Sequence, residues 1–205
     1  MKKLLLTIIL FLGVNLYSPA QDMRMLFVEA PDSVFPLIPK NLRTDCIDFV
    51  DAGMKYAVTN RLDGKSTLVE LTDDYLSLET TAVSTVEMKK LPAGDSFVIC
   101  VVNTVSAEAS DSRVAFFDSS WRRLKGGELF EAPSIRDFFT SQSAADELAD
   151  ICDIYLVSLK LSADENVLVA EYTMPSYMTA DDAGKVLPHL RKIRYVWDGV
   201  RFVME

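Results

Sequence analysis

Hydrophobic and polar positions divide the chain into stretches of two different periods. Residues 21–39 carry Pro31, Pro36 and Pro39, which predict an irregular lead-in with no continuous helix. From Asn41, Leu42, Cys46, Phe49 and Val50 recur at i, i+4, i+7 and i+8, with Arg43, Asp45, Asp48 and Asp51 directed elsewhere. That spacing predicts an amphipathic helix ending at Gly53. The period then falls to 2. Tyr56–Leu62 and Thr67–Leu71 flank Asp63-Gly64, a dipeptide suited to a tight hairpin turn, and further strands are expected at Tyr75–Thr80, Ser84–Leu91, Phe97–Val105 and Arg113–Asp118. Short turn-rich segments separate them, so the strands should pair as an antiparallel meander, since parallel pairing needs long crossovers.

A second amphipathic helix is expected after Ser143, which with Asp146 forms a capping pattern, and Leu148, Ile151, Cys152 and Tyr155 mark its apolar face. Strands return at Ile154–Leu161, Asn166–Thr173, Ile193–Trp197 and Val200–Met204, the last two joined by the hairpin dipeptide Asp198-Gly199. The fold class is therefore α+β, dominated by antiparallel sheet with two covering helices. It divides into an N-terminal half, 21–130, and a C-terminal half, 131–205, which form either one continuous domain or two similar units. Glu29-Ala30-Pro31 recurs as Glu131-Ala132-Pro133, and Asp45-Cys46-Ile47-Asp48 is echoed by Asp150-Ile151-Cys152-Asp153, which raises the idea of an internal duplication.

The first twenty residues change the picture by adding an address. Lys2 and Lys3 precede an apolar run from Leu4 to Val14, and Ser18-Pro19-Ala20 supplies small residues for a signal peptidase, which places cleavage before Gln21. No Cys stands at the cut and the run is too short to span a bilayer as a helix, so a periplasmic or secreted protein without membrane insertion is expected. The formal charge is −9, and losing the two leader lysines makes it more negative. Such a surface repels phosphate backbones, which argues against nucleic acid as a partner.

Candidate chemistry is sparse. Cys46, Cys100 and Cys152 are three, so at most one disulfide can close, and their apolar neighbours predict buried free thiols. Without a CxxC or a Cys/His cluster, zinc has no ligand set. Gly64-Lys65-Ser66 resembles the end of a phosphate-binding loop, but Thr59 stands where the earlier glycine belongs and the following segment is β-patterned. His189, the single histidine, lies in Leu187-Pro188-His189-Leu190-Arg191 with no marked nucleophile beside it. Asp146, Glu147, Asp150 and Asp153 read as a solvated helix face, although paired acids across a cleft would serve glycoside hydrolysis. Asp181-Asp182 fits the start of a short helix and lacks a calcium-loop pattern. Trp121 and Trp197, with Tyr172, Tyr177 and Tyr195, fit core edges better than a platform for sugar or peptide. No catalytic, cofactor-binding or metal-binding residue is assigned.

The segments Pro36–Pro39, Asn41–Phe49, Asn60–Gly64, Leu71–Leu76 and Asp111–Asp118 followed by Trp121 resemble the exported Bacteroidales family known as domain of unknown function 3256. The resemblance implies a Gram-negative envelope or exported protein without an established activity, and it carries over no catalytic residue. The leading functional expectation is a non-catalytic binding or envelope-assembly protein with a protein or glycan partner. The alternatives are a glycan or peptide hydrolase with a carboxylate site and a periplasmic carrier of an apolar ligand.

Overall fold

The computed structural model describes residues 21–54 and 57–205. The leader 1–20 and Tyr56, where the first strand was expected to begin, lie outside the described residues. The lead-in is not irregular throughout: Met23–Glu29 forms helix α1, whose first turn is capped by the Asp22 carboxylate accepting from the Arg24 amide at 3.2 Å. Pro31 falls beyond its end, so the prolines bound this helix without preventing it. Helix α2, Lys40–Asp51, begins after Pro39 and stops just before Gly53, which adopts φ +69°, a value that suits glycine. Cys46 faces inward as the spacing requires, with Leu42, Phe49 and Val50 partly buried, but Ile47 is buried too and so is Arg43, at 1% exposure. Its guanidinium replaces water with carbonyls, donating to Val28 O, Ala30 O (2.6 Å) and Ile38 O (2.7 Å) and pairing with Asp32. Asp32 also meets Arg61, and the hydrogen bond from Arg43 is the main cause holding its carboxyl below the usual range.

Six strands follow in sequence order: β1 (Ala57–Thr59), β2 (Lys65–Leu71), β3 (Tyr75–Thr81), β4 (Ser84–Ala93), β5 (Ser96–Ser106) and β6 (Ser110–Phe117). They form one antiparallel meander, as the short turns require. The first loop is wider than a two-residue turn. Asn60 N donates to Gly64 O at 2.9 Å, Asp63 rather than Gly64 takes the positive φ, and the Asn60 side-chain oxygen accepts from Leu62 N and Gly64 N. Ser66 is buried inside β2 and donates to Thr80 O, so Gly64-Lys65-Ser66 is a hairpin element.

β5 explains the layering. Its apolar run is buried on both faces. Ile99 and Val101 join Leu76, Leu78, Val86 and Met88 under α1 and α2, whereas Cys100 and Val102 join Tyr75, Leu91 and Phe116 on the opposite face. That opposite face meets a second antiparallel sheet in the order β10-β9-β8-β7, built from β7 (Val157–Leu161), β8 (Val167–Tyr172), β9 (Ile193–Trp197) and β10 (Phe202–Met204). Residues on both sides of position 130 thus contribute to one apolar cluster. The architecture is α+β with two mainly antiparallel sheets. Three further short helices appear among the described residues: α3 (Gly126–Leu129), α4 (Gln142–Leu148) and α5 (Ala180–Val186).

The second helix differs from its expected form. Ser141 rather than Ser143 caps α4, accepting from Ala144 N, and the chain passes into a 3-10 turn at Ala149–Ile151. The continuous face through Tyr155 is therefore lost: Ile151 and Tyr155 are exposed while Cys152 is buried.

The sheets are joined by polar bonds as well as by apolar packing. The outer edge of β7 is closed by side chains of the first sheet, with Leu159 N donating to Ser112 Oγ at 2.9 Å and Leu161 N to Glu87 Oε2 at 3.1 Å. Glu87 also accepts from Tyr75 OH at 2.6 Å, and buried Lys89 reaches Ala163 O and Asp74. Burial raises the Glu87 pKa despite these bonds.

Candidate functional site

The residues that sequence reasoning weighed for chemistry are scattered. His189 is exposed on a 3-10 turn, lining a shallow depression with Ser141 and Ser143, and the Ser141 hydroxyl oxygen already serves the helix cap. All three cysteines are buried and unpaired. Burial pushes the Cys46 thiol up to about 11 and raises Cys100 and Cys152 as well, which opposes thiolate formation at neutral pH. Asp146 is held by Arg136 at 2.5 Å, which with Gln142 lowers its pKa, while Glu147, Asp150 and Asp153 are exposed. Asp181 and Asp182 stand in the first turn of α5, where Thr179 supplies the cap and Lys185 pairs with both acids. Among the described residues, no three His, Cys, Asp or Glu side chains converge as a metal site.

The aromatic residues do not assemble into one platform. Trp121 packs on Phe117 at 5.4 Å, on the side of the first sheet covered by α1 and α2, whereas Trp197, Tyr172 and Tyr195 are buried between the sheets. Tyr177 is 49% exposed. Trp197 spans the joint, its indole N–H donating to Pro92 O at 2.7 Å.

Tyr195 differs from the other tyrosines buried in this core. Tyr75 OH donates to Glu87 and Tyr172 OH to Ile154 O, but Tyr195, 2% exposed, has a hydroxyl with no hydrogen-bond partner among the described residues. A buried hydroxyl without a hydrogen bond is costly, and such groups are rare in folded proteins. The alternation of β9 accounts for its position, since Ile193, Tyr195 and Trp197 all point inward. Phe130 meets its ring edge to face at 5.0 Å.

Tyr195 lines a cleft of about 350 Å³ between segment 127–133 and the β9–β10 hairpin. Glu128, Glu131, Asp137 and Arg201 supply the charge around it, and Phe130, Phe202 and Met204 the apolar surface. The far wall is braced locally. Tyr155 OH donates to Pro133 O at 2.8 Å, and Ser134 N and Oγ both donate to Asp137 Oδ2 at 2.7 Å, which leaves Asp137 Oδ1 open. Burial raises the Tyr195 pKa, with smaller contributions from Tyr155, Asp137 and Glu131, so the hydroxyl stays protonated. It can donate one hydrogen bond and accept others, but its oxygen is closed off from solvent behind the wall of the cleft. A neighbouring apolar hollow of about 310 Å³, lined by Val114, Val157 and Leu159, shares Phe130 and Pro133 with the cleft.

Sequence reasoning named Tyr195 only within an aromatic group and did not connect it with Glu131 or Asp137. Alternation predicts that its ring is buried, but nothing local predicts that its hydroxyl lacks a partner.

Two packed antiparallel sheets, one of six strands and one of four, with short helices between and around them define an α+β protein. The sequence matches the family of proteins of unknown function DUF3256 over residues 15–202, and the chain belongs to that family. A solved structure, that of a domain of an uncharacterized protein from Porphyromonas gingivalis W83, is similar with a TM-score of 0.78 at 26% identity. The match covers 91% of this chain and 98% of that one. No curated protein matches the sequence.

Proposed function

We propose that this is an exported, non-catalytic binding protein of the bacterial envelope, and that its ligand occupies the cleft at Tyr195. The unpartnered Tyr195 hydroxyl carries the reading. Phenylalanine at this position would keep the ring packing and avoid the desolvation cost, so the oxygen fits a group that a ligand satisfies once it enters and parts the wall of the cleft. Hydrolysis is the weaker reading: Glu131 is exposed and Asp137 only half-buried, so neither sits in the dry environment that a general acid requires. The basic, apolar leader and its Ser18-Pro19-Ala20 site support export.

Two measurements test the reading. Tyr195→Phe should raise the stability of the ligand-free protein by about 1 kcal/mol, as read by urea denaturation. A loss of that size would mean that the hydroxyl serves the fold, and would remove the site. Intact-mass analysis of the protein recovered from its native host should show an N-terminus at Gln21, whereas a cytoplasmic protein retaining Met1 would overturn export.

A further inference from the structure

Cleavage before Gln21 would leave a glutamine at the new amino terminus, at a position that the fold already fixes. Lys90 Nζ donates to Gln21 O at 3.0 Å. The next residue, Asp22, is committed to α1, its carboxylate accepting from Arg24 N and its carbonyl from Leu26 N, and Met23 is fully buried. The order that Lys90 and α1 impose thus reaches the first residue past the cut. We infer that Gln21 cyclises there to pyroglutamate, so that the mature protein carries no free α-amine. The inference rests on the export reading and is independent of the Tyr195 cleft.

The step needs no second substrate. The α-nitrogen freed by cleavage attacks the side-chain amide carbon Cδ of the same residue, and the new C–N bond closes a five-membered lactam. The bond from Cδ to Nε2 breaks, and the side-chain nitrogen leaves as ammonia with a proton from the α-amine. Nothing is oxidised or reduced. Among the described residues no hydrogen bond ties the Gln21 side-chain amide, so it is able to fold back on its own nitrogen. Gln21 also lines an open cleft of about 830 Å³, which leaves room for the ring and an exit for ammonia.

Charge favours the same outcome. Lys90 is held between Gln21 O and the ring of Phe97, whose centroid lies 5.2 Å from the ammonium. A terminal ammonium on Gln21 would stand beside that cation. Of the carboxylates lining the cleft, Asp74 is already paired with Lys89, which leaves Asp95 to serve both charges. A neighbouring cation favours the uncharged amine, which is the attacking form, and the lactam ends the conflict because it carries no charge. Lys90 is thus a positioning residue for the cyclisation.

Intact mass and amino-terminal sequencing of the protein recovered from its native host test the inference. The expected mass is that of the chain from Gln21 less one ammonia, with a terminus closed to stepwise sequencing until a pyroglutamyl peptidase removes the ring. A chain from Gln21 at full mass, with a readable terminus, overturns the inference and leaves export standing. A chain that begins at any other residue also overturns it, and one that retains Met1 takes export with it. The part given to Lys90 is read from protein released in vitro with a free Gln21 amine. Ammonia loss, followed by mass in neutral buffer, should keep its rate in Lys90→Arg and slow by about threefold or more in Lys90→Gln, which retains a donor but no charge. Equal rates in the three proteins overturn that part.

Discussion

Replacing Arg43 by alanine is expected to lower the unfolding free energy by about 3–5 kcal/mol, because the guanidinium is buried and serves several acceptors at once. Val28 O in the last turn of α1, and Ala30 O and Ile38 O in the segment linking α1 to α2, would lose their donor. A lysine cannot reproduce the planar fork, so Arg43→Lys should recover less than half of the loss. Asp32→Asn should cost far less, since Asp32 is half exposed and the carbonyls keep their donor. Urea denaturation of the three variants checks the order. A loss below about 1 kcal/mol for Arg43→Ala would show that water or a local rearrangement takes over the carbonyls.

Trp197→Ala should destabilise by a similar amount, about 3–5 kcal/mol, through the cavity left between the sheets. The ring is 6% exposed, packs edge to face on Phe202 at 5.3 Å, and donates across the joint to Pro92 O in β4. Trp197→Phe separates the two contributions. It keeps most of the apolar burial and removes the donor, so a smaller loss of about 1–2 kcal/mol is expected. A stable Trp197→Ala protein would mean that the joint relies on Glu87, Lys89 and the β7 edge alone.

Much of the meander is legible residue by residue. Ile193–Trp197 has the bounds that its alternation predicts and a hairpin follows it as expected, but the turn centres on Gly199-Val200, with Gly199 at φ +100°, and the last strand begins at Phe202 rather than Val200. The errors have local causes that a longer-range contact decides. Asp22 offered a cap that creates α1 ahead of the prolines. The α4 cap lies at Ser141 because the helix there is short and ends at Leu148, which a periodic count continuing to Tyr155 does not register. Arg43 counts as polar in any periodicity, and only the carbonyls of the preceding loop turn it inward.

The sequence by itself determined the α+β class, the order of the strands in the first sheet and the burial of Cys46, Cys100, Cys152 and Tyr195, because alternation, turn residues and apolar runs act between near neighbours. Only the tertiary structure decided that Glu87 and Lys89 seal the joint between sheets, that Phe202 and Met204 form an open edge, and that Glu131 and Asp137 meet Tyr195 in one cleft. The presence or absence of a hydrogen-bond partner is a relation between groups far apart in the chain. Tyr75 and Tyr195 are both inward-facing strand tyrosines, and the fold alone provides Glu87 for the first and nothing for the second.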